Sequence, residues 1–269
     1  YALWLLVRRR ERAAVALLLT ASLVFYGHNH WSLLPLLLAY CVVDWSVALW
    51  VERSARPRAV LALGVTFNLV VLAYYKYTPL LVEAAARLAG LTLAPETAQK
   101  LDGWCIPFGI SFYAFTGIAY LVDVYRRVTP AERSLVRYTL SAAFFPHLVA
   151  GPILRPNEFL ARLRPGQVPR QPQAPVEAFG LLARGFFKKL VLADRLALAG
   201  DPFFVHVNDP STAGVWALPY AYLYALQIYF DFSAYTDIAR GLGLLFGYRW
   251  PDNFNLPYLA GSVAEFWQR

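Results

Sequence analysis

A long uncharged stretch constrains what this chain can fold into: no Asp, Glu, Lys or Arg occurs between Ala13 and Val43. One membrane-spanning helix needs about 20 apolar residues, so the stretch is too long for one span and suits two spans. A polar turn of sequence Gly-His-Asn-His at residues 27–30 would join them. The composition agrees, since 58% of the 269 residues are hydrophobic, 16% are charged and the mean hydropathy is +0.43. These values exclude a disordered chain and favour an integral membrane protein.

Further apolar segments follow, and together they predict an all-α, polytopic membrane protein with six or seven crossings. The segment at 138–154 is interrupted by Pro and Gly, and the segment at 176–200 is mixed in polarity. The candidate spans are Ala13–Gly27, Trp31–Val51, Ala59–Tyr75, Gly103–Val122, Tyr138–Leu154, Val176–Gly200 and Ser211–Phe230.

Arginine-rich loops set the expected orientation. The net charge is +8, and the basic residues lie in short runs between apolar segments, which is typical of the positive-inside rule and not of a nucleic-acid interface. The rule places residues 8–12, 52–58 and 125–137 in the cytoplasm. Residues 155–170 are also arginine-rich, so the alternation of sides fails across 138–154.

Pro146 and the Gly151-Pro152 pair interrupt helical hydrogen bonding inside that exceptional segment. Non-helical backbone at membrane depth is stable only when it is buried in protein or lines a wet cavity. Two alternatives follow: the segment is re-entrant or broken and faces an internal cavity, or it is a kinked full crossing.

Other patterns limit organisation and chemistry. Residues 164–175 are rich in Pro and Gln, which predicts an extended cytoplasmic connector and the single organisational boundary of the chain. Cys41 and Cys105 both lie in apolar runs, so we expect them to pack against neighbours, with no disulfide framework and no metal site. The sequence has no nucleophile elbow, phosphate-binding loop or dinucleotide fingerprint, so ATP-driven transport is not supported.

Polar residues inside apolar segments are costly and often functional, and three clusters of them occur here. They are His147; Gln227, Asp231, Ser233 and Asp237; and Asn253, Asn255 and Glu265. Gln227 and Asp231 share a helical face, and Arg240 or a wet cavity is a candidate to offset the charge of Asp231. Both residues either line a tunnel or tie neighbouring helices together. His147 is either a hydrogen-bonded structural histidine or a cavity-lining one.

Several motifs carry a specific resemblance. FFPHLVAGPILRPNEF at 144–159, GFFKKLVLADRLA at 185–197, and the long stretch from LQIYFDFSAYTDIARG to AEFWQR at 226–269 resemble the membrane-bound O-acyltransferase family. The resemblance is to its alginate O-acetyltransferase branch, which includes a teichoic-acid D-alanyl transfer protein. It implies a ring of transmembrane helices around a tunnel, with a re-entrant segment. It also implies that the tunnel-lining or substrate-binding residues are His147, Gln227, Asp231, Ser233, Asp237, Asn253 and Asn255.

The resemblance implies acyl transfer, with acetyl groups passing to hydroxyls of an exported polysaccharide such as alginate. The alternatives are D-alanyl or other acyl transfer to a cell-envelope polymer, or a non-enzymatic transporter or scaffold. The expected co-substrate is a thioester donor, acetyl-CoA or an acyl carrier, with no bound cofactor. The expected partners are the bilayer, the polysaccharide acceptor and extracytoplasmic acetyltransferases, and the expected location is a bacterial cell membrane.

In the family, the stretch that matches Glu265–Arg269 is followed at once by Trp-His, and that histidine is essential. We therefore expect residues 1–269 to be the N-terminal part of the transmembrane domain, without a catalytic residue and inactive alone. Two positions depart mildly from the family pattern: Gln268, where Arg is more frequent, and Ala234, where Gly often occurs.

Overall fold

The computed structural model describes residues 1–29, 31–148, 151–152, 156–205 and 210–269, and these ranges contain helices, turns and no strand. The helical fold predicted from composition is therefore confirmed for the described residues. The helices are α1 (Ala2–Val7), α2 (Glu11–Asn29), α3 (Leu34–Arg53), α4 (Pro57–Leu88), α5 (Pro95–Asp102), α6 (Ile110–Tyr125), α7 (Leu135–Ala143), α8 (Pro156–Arg162), α9 (Pro175–Phe187), α10 (Asp194–Val205), α11 (Pro210–Leu245) and α12 (Val263–Gln268). Short 3₁₀ turns occur at Trp31–Leu33 and Pro257–Leu259, and a π-helical segment at Lys188–Ala193.

The chain forms two compact units, which are described separately. The first, here the N-terminal unit, comprises residues 10–148 and 156–168 of the described chain. The second, the C-terminal unit, comprises Pro169–Arg269 together with Tyr1–Arg9 and the short piece around Gly151 and Pro152. The division between Val168 and Pro169 falls within the stretch predicted as a connector, residues 164–175.

A polar contact lies at the centre of the N-terminal unit, where α3, α4 and α6 pack against one another. Asn68 of α4 donates from Nδ2 to Oδ1 of Asp44 on α3 at 2.7 Å, and both residues are buried. Tyr40 donates from its hydroxyl to the carbonyl of Asn68 at 3.3 Å. The polar groups inside these apolar helices therefore join α3 to α4. Cys41 is buried beside this contact, whereas Cys105 is exposed, so the packing role expected for Cys105 is wrong.

Two helices among the described residues are long and apolar enough to cross a membrane, Trp31–Arg53 and Pro57–Leu88. They correspond to the second and third predicted spans, and the third continues well past Tyr75. The fourth predicted span contains the shorter apolar helix Ile110–Tyr125. The segments at 13–27, 176–200 and 211–230 are helical, in α2, in the α9–α10 element and in α11. The total of six or seven crossings stays a prediction.

The segment at 138–154 is not one helix. α7 ends at Ala143, residues 145–148 form turns, and the next helix begins at Pro156. The interruption coincides with Pro146, which cannot continue the helical hydrogen-bond ladder. The nine residues of α7 rise only about 13 Å, too short to cross a bilayer alone. Residues 149–150 and 153–155 lie outside the described residues, and re-entry stays a prediction.

In the C-terminal unit, α11 packs along α9, the π-helical segment and α10. Two glycines permit the close approach. A Cβ at Gly241 would meet the carbonyl oxygen of Ala178 at 2.8 Å, and one at Gly185 would meet that of Ala234 at 2.9 Å. Gly241 and Gly185 therefore allow α9 and α11 to pack with their backbones close together.

The contact between Gly117 and Asp44 gives a test of the core of the N-terminal unit. A Cβ on Gly117 of α6 would overlap Oδ2 of Asp44, so Gly117→Ala should destabilise the protein by about 1–3 kcal/mol. The control is Gly180→Ala on α9, where a Cβ meets open space and alanine should be neutral or stabilising by up to about 1 kcal/mol. Thermal unfolding in detergent measures both changes, and equal midpoints for the two variants would contradict the contact.

Candidate functional site

A polar cleft of about 200 Å³ lies in the C-terminal unit, among α9, the π-helical segment, α11 and the loop that follows α11. Four residues predicted as tunnel-lining or substrate-binding line it together: Ser233, Asp237, Asn253 and Asn255. The other lining residues are Arg184, Lys188, Tyr229, Thr236, Arg240, Asp252, Phe254 and Leu256. Two residues of the second sequence cluster and two of the third therefore lie together in space. More than a dozen residues separate the two pairs along the chain.

Asp237 is the centre of the cleft. Its side chain is only 6% exposed, and cations from the neighbouring element surround it. Arg184 donates from Nη2 to Oδ1 at 2.7 Å and from Nε to Oδ2 at 2.8 Å. Lys188 donates from Nζ to Oδ2 at 2.7 Å. A buried carboxylate is stable only with such charge-assisted hydrogen bonds, so Asp237 fixes where α9 and α11 can meet.

The cleft carries more positive than negative charge. Arg240, whose side chain is 13% exposed, lies 3.9 Å from Asp237 and pairs with Asp252. Three cations, Arg184, Lys188 and Arg240, thus face two carboxylates among the lining residues. A cleft with one excess positive charge attracts anionic groups such as a phosphate or a carboxylate.

The π-helical segment positions two adjacent lysines toward α11. Asp194 donates its backbone N–H to the carbonyl of Lys189, five residues earlier, which is the π-helical pattern. Lys188 reaches Asp237, while Lys189 donates to Oδ1 of Asp231 at 2.7 Å and lies 3.1 Å from Oδ1 of Asp194. Segments of this kind occur frequently at functional sites.

Of the two candidates for offsetting the charge of Asp231, Arg240 is wrong, because Lys189 takes that place. Arg240 is nine residues after Asp231, and nine steps of about 100° point its side chain to the opposite face of α11. The shared face of Gln227 and Asp231 is directed toward the α9–α10 element. Oε1 of Gln227 lies 3.9 Å from the position of a Cβ on Gly200.

The loop after α11 is held at several points. Tyr258 donates from its hydroxyl to the carbonyl of Ala225 at 2.9 Å, and Asn255 donates its backbone N–H to the carbonyl of Arg269 at 2.6 Å. Leu256, which lines the cleft, has φ of 49°, in the left-handed region that a leucine rarely adopts. Such strain persists only where the surroundings fix the backbone, and it is frequent at binding sites.

Glu265, noted in the third sequence cluster, is structural. Ser262 caps α12 by accepting the N–H of Glu265 at 3.1 Å, and Glu265 accepts the N–H of Gly261 at 2.8 Å. The Ser-x-x-Glu spacing is that of a capping box, with the difference that Glu265 accepts the N–H of the residue before the N-cap and not that of Ser262 itself. Glu265 also accepts a hydrogen bond from Arg269 at 2.8 Å, which helps to hold the loop that carries Asn255.

His147 lies in the N-terminal unit. It is buried, with ring centroids 5.9 Å from Phe144 and 5.8 Å from Phe159. Its place in a cavity with Gln227 and Asp231 stays a prediction.

Sequence reasoning missed Arg184 and Lys188 as members of the site, and it missed Lys189 as the partner of Asp231. The lysines were visible as charges in the middle of the mixed segment 176–200. A charge inside an apolar helix calls for a carboxylate on a neighbouring helix, and Asp231 and Asp237 were the available ones. What the sequence lacks is the π-helical register, which decides which lysine faces which aspartate.

Comparisons with known proteins give consistent matches. The probable alginate O-acetylase AlgI of Azotobacter vinelandii is 39% identical over 258 residues, 94% of this chain and 50% of that protein. The peptidoglycan O-acetyltransferase of Helicobacter pylori is 31% identical over 281 residues, 94% of this chain and 52% of that protein. The teichoic acid D-alanyltransferase of Bacillus subtilis is 26% identical over 166 residues, 60% of this chain and 40% of that protein. No family model matches the chain.

Over 94% of its length, the chain is similar to members of the membrane-bound O-acyltransferase family, the family that its motifs resemble. Within the family it is similar to the alginate O-acetylases, which confirms the branch that the motifs predict. The chain spans about half the length of the relatives it matches most extensively.

The pairing around Asp237 gives a stability test. Asp237→Asn leaves Lys188, only 18% exposed, without its counter-charge and should cost about 3 kcal/mol. Asp231→Asn is the control, because its carboxylate is 42% exposed and such pairs contribute about 0–1 kcal/mol. Midpoints of thermal unfolding measured for both variants decide the matter. A larger loss for Asp231→Asn would contradict the central role of Asp237.

An ion pair between Glu177 and Arg249 gives a pH-dependent test. Two hydrogen bonds, at 3.0 and 2.8 Å, hold the pKa of the Glu177 carboxyl below its usual range. A lowered carboxyl pKa contributes stability above the unfolded pKa, and this contribution is lost as pH falls through the folded value. The midpoint difference between the natural protein and Glu177→Gln should therefore shrink below about pH 5. A difference for Glu177→Gln that stays constant down to pH 3 would contradict the pairing.

Proposed function

We propose that the protein transfers an acyl group, in the first instance acetyl, from a thioester donor to hydroxyl groups of an exported polymer. In this reaction the acceptor oxygen forms a bond to the acyl carbon, the carbon–sulfur bond breaks, and the hydroxyl proton ends on the released thiol. Two kinds of relative that cover most of the chain are named for O-acetylation, of alginate and of peptidoglycan. A non-enzymatic transporter or scaffold has no such support.

The observation that carries the proposal is the cationic cleft around Asp237. In an apolar helical protein, buried charged groups are rare, and they are usually paired and part of a functional site. Thioester donors of the coenzyme A and acyl-carrier types bear phosphate near the pantetheine arm, and the excess positive charge suits such a group. We assign the cleft to donor binding, with Arg184, Lys188 and Arg240 as the attracting charges and Ser233, Asn253 and Asn255 as hydrogen-bonding groups.

The predicted orientation of the chain supports access of the thioester donor to the cleft from the cytoplasm. Residues 164–175 are predicted to be cytoplasmic, and α9 begins immediately after them at Pro175. Gln173 donates its backbone N–H to the carbonyl of Leu244 at 2.8 Å, so the end of α11 lies beside that connector. Arg184 is about 13 Å along α9 from Pro175, within reach of a donor that enters from the cytoplasm.

The remaining parts of the proposal concern the whole protein. We propose a multi-pass protein of a bacterial cell membrane, with helices around a tunnel and the interrupted segment at 138–154 re-entrant. The residues that line the cleft among the described ones include no histidine, so proton removal from the acceptor is assigned elsewhere. The proposed partners are extracytoplasmic acetyltransferases that complete transfer to the polysaccharide.

Substitutions in the cleft test the function. The gene of the natural full-length protein would carry Asn253→Ala or Ser233→Ala in the cleft, or Asp231→Ala at its pair with Lys189 outside the cleft lining. Ester-linked acetate on the exported polysaccharide would be divided by the amount of protein. We expect a loss of about tenfold or more for Asn253→Ala, since a misplaced donor loses orientation. Gln171→Ala removes an exposed amide in the connector and should change nothing. Unchanged acetate per molecule in both cleft variants, Asn253→Ala and Ser233→Ala, would overturn the donor-binding assignment. Detection of ester-linked D-alanine in place of acetate would show that the transferred acyl group is D-alanyl and not acetyl.

A further inference from the structure

A second basic cluster lies at one end of the N-terminal unit, where α3 ends, α4 begins and α6 ends. The turn between α3 and α4 and the loop after α6 come together there. Arg58 donates from Nε to the Tyr125 hydroxyl at 3.1 Å, and Arg133 donates to Oε2 of Glu52 at 2.5 Å. The arginines of this basic end are Arg53, Arg56, Arg58, Arg126, Arg127, Arg133 and Arg137.

A cleft of about 410 Å³ opens among these segments, and no part of the proposed acyl transfer uses it. Its lining combines apolar and polar side chains, and Arg127 is the one cation among the described residues that line it. The lining residues are Val51, Glu52, Ser54, Pro57, Val124, Tyr125, Arg127, Thr129 and Pro130. A cavity of this shape fits a small group that is charged at one end and apolar at the other.

The charges at the basic end are not balanced. Both carboxylate oxygens of Glu52 are engaged, one by the N–H of Ala131 at 3.2 Å and the other by Arg133. Glu132 is likewise engaged by Arg137. Four exposed arginines have no carboxylate within ion-pair distance in the described part of the chain: Arg53, Arg56, Arg126 and Arg127.

The backbone of Arg127 is held in a conformation that favours glycine. Its φ is 59°, and it follows the end of α6, where Val128 donates its N–H to the carbonyl of Asp123 at 2.9 Å. This is the position in a helix-ending motif where glycine is usual, because it carries no strain there. An arginine at this position places a cation at the mouth of the cleft in spite of the strain.

Neighbouring exposed apolar side chains indicate where the cleft lies along the membrane normal. Trp50, one turn before Arg53, is 54% exposed, and Val128 is 58% exposed beside Arg127. Tryptophan beside arginine at the end of an apolar helix is typical of the membrane–water interface, where the headgroups lie. The basic end therefore lies at the level of lipid phosphates.

We propose that this cleft binds the phosphate group of an anionic lipid headgroup, with Arg127 as the principal donor and Arg56 and Arg58 at the rim. Guanidinium groups donate paired hydrogen bonds to phosphate oxygens. The apolar lining residues Val51, Val124 and Pro57 would contact the glycerol and the first methylenes of the lipid. The proposal does not rest on acyl transfer.

Lipid binding to the detergent-purified full-length protein tests the proposal. Short-chain phosphatidylglycerol, short-chain phosphatidylcholine and inorganic phosphate would each be titrated, and the heat of binding measured. We expect binding of phosphatidylglycerol, and about fivefold weaker binding for each arginine removed. The variants are Arg127→Gly, which suits the backbone at φ of 59°, and Arg56→Gln at an exposed site. The control is Arg87→Gln, at an exposed arginine near the end of α4.

Each result decides. The site is supported if phosphatidylglycerol binds more weakly to Arg127→Gly and Arg56→Gln, and as tightly to Arg87→Gln as to the natural protein. Equal binding in all variants would mean that the arginines only offset the helix ends, and it would overturn the proposal. Equal affinity for phosphatidylcholine would overturn the role of charge, and competition by inorganic phosphate at lipid-like concentration would overturn the lipid assignment. If Arg127→Gly fails to fold, Arg56→Gln alone decides between these results.

Discussion

Buried carboxylates determine how the helices of each unit can pack. In an apolar interior a carboxylate without partners is so costly that its partners become fixed points of the structure. Asp44 takes an amide hydrogen bond from Asn68, and Asp237 takes hydrogen bonds from Arg184 and Lys188. Asn68, the partner of Asp44, is neutral, and its contact only joins two helices. The partners of Asp237 are charged and also line a cleft. The same constraint thus yields a structural core in one unit and a candidate site in the other.

Residue spacing was sufficient to predict several of the helices and to single out four residues that line the candidate site. An uncharged run that is too long for one span predicts α2 and α3, and the Pro146 interruption predicts the end of α7 before it. Polar residues in apolar surroundings identified Ser233, Asp237 and the asparagines of the following loop, because such residues are retained only at a cost. These inferences need only local sequence and the thickness of a bilayer.

Contacts between residues on different helices were harder to predict from the sequence. The counter-ion of Asp231 was sought on its own helix, at Arg240, although nine residues place that side chain on the opposite face. The actual partner, Lys189, comes from another element whose register the π-helical segment shifts. Similarly, the exposure of Cys105 depends on how the loop before α6 lies, which an apolar sequence does not specify. Tertiary register is a long-range property, and short motifs carry little information about it.

The π-helical segment has a consequence for how this region can vary. A π-helical turn holds one residue more than an α-helical turn, so it acts as a single-residue insertion inside a continuous helix. Removal of one residue from 188–193 would leave both flanking helices intact, yet rotate every later residue of α10 by about 100° relative to α9. Lys189 could then no longer face both Asp194 and Asp231. Loss of a single residue there would therefore change which charges of α10 and α11 can pair, even if every remaining residue kept its identity.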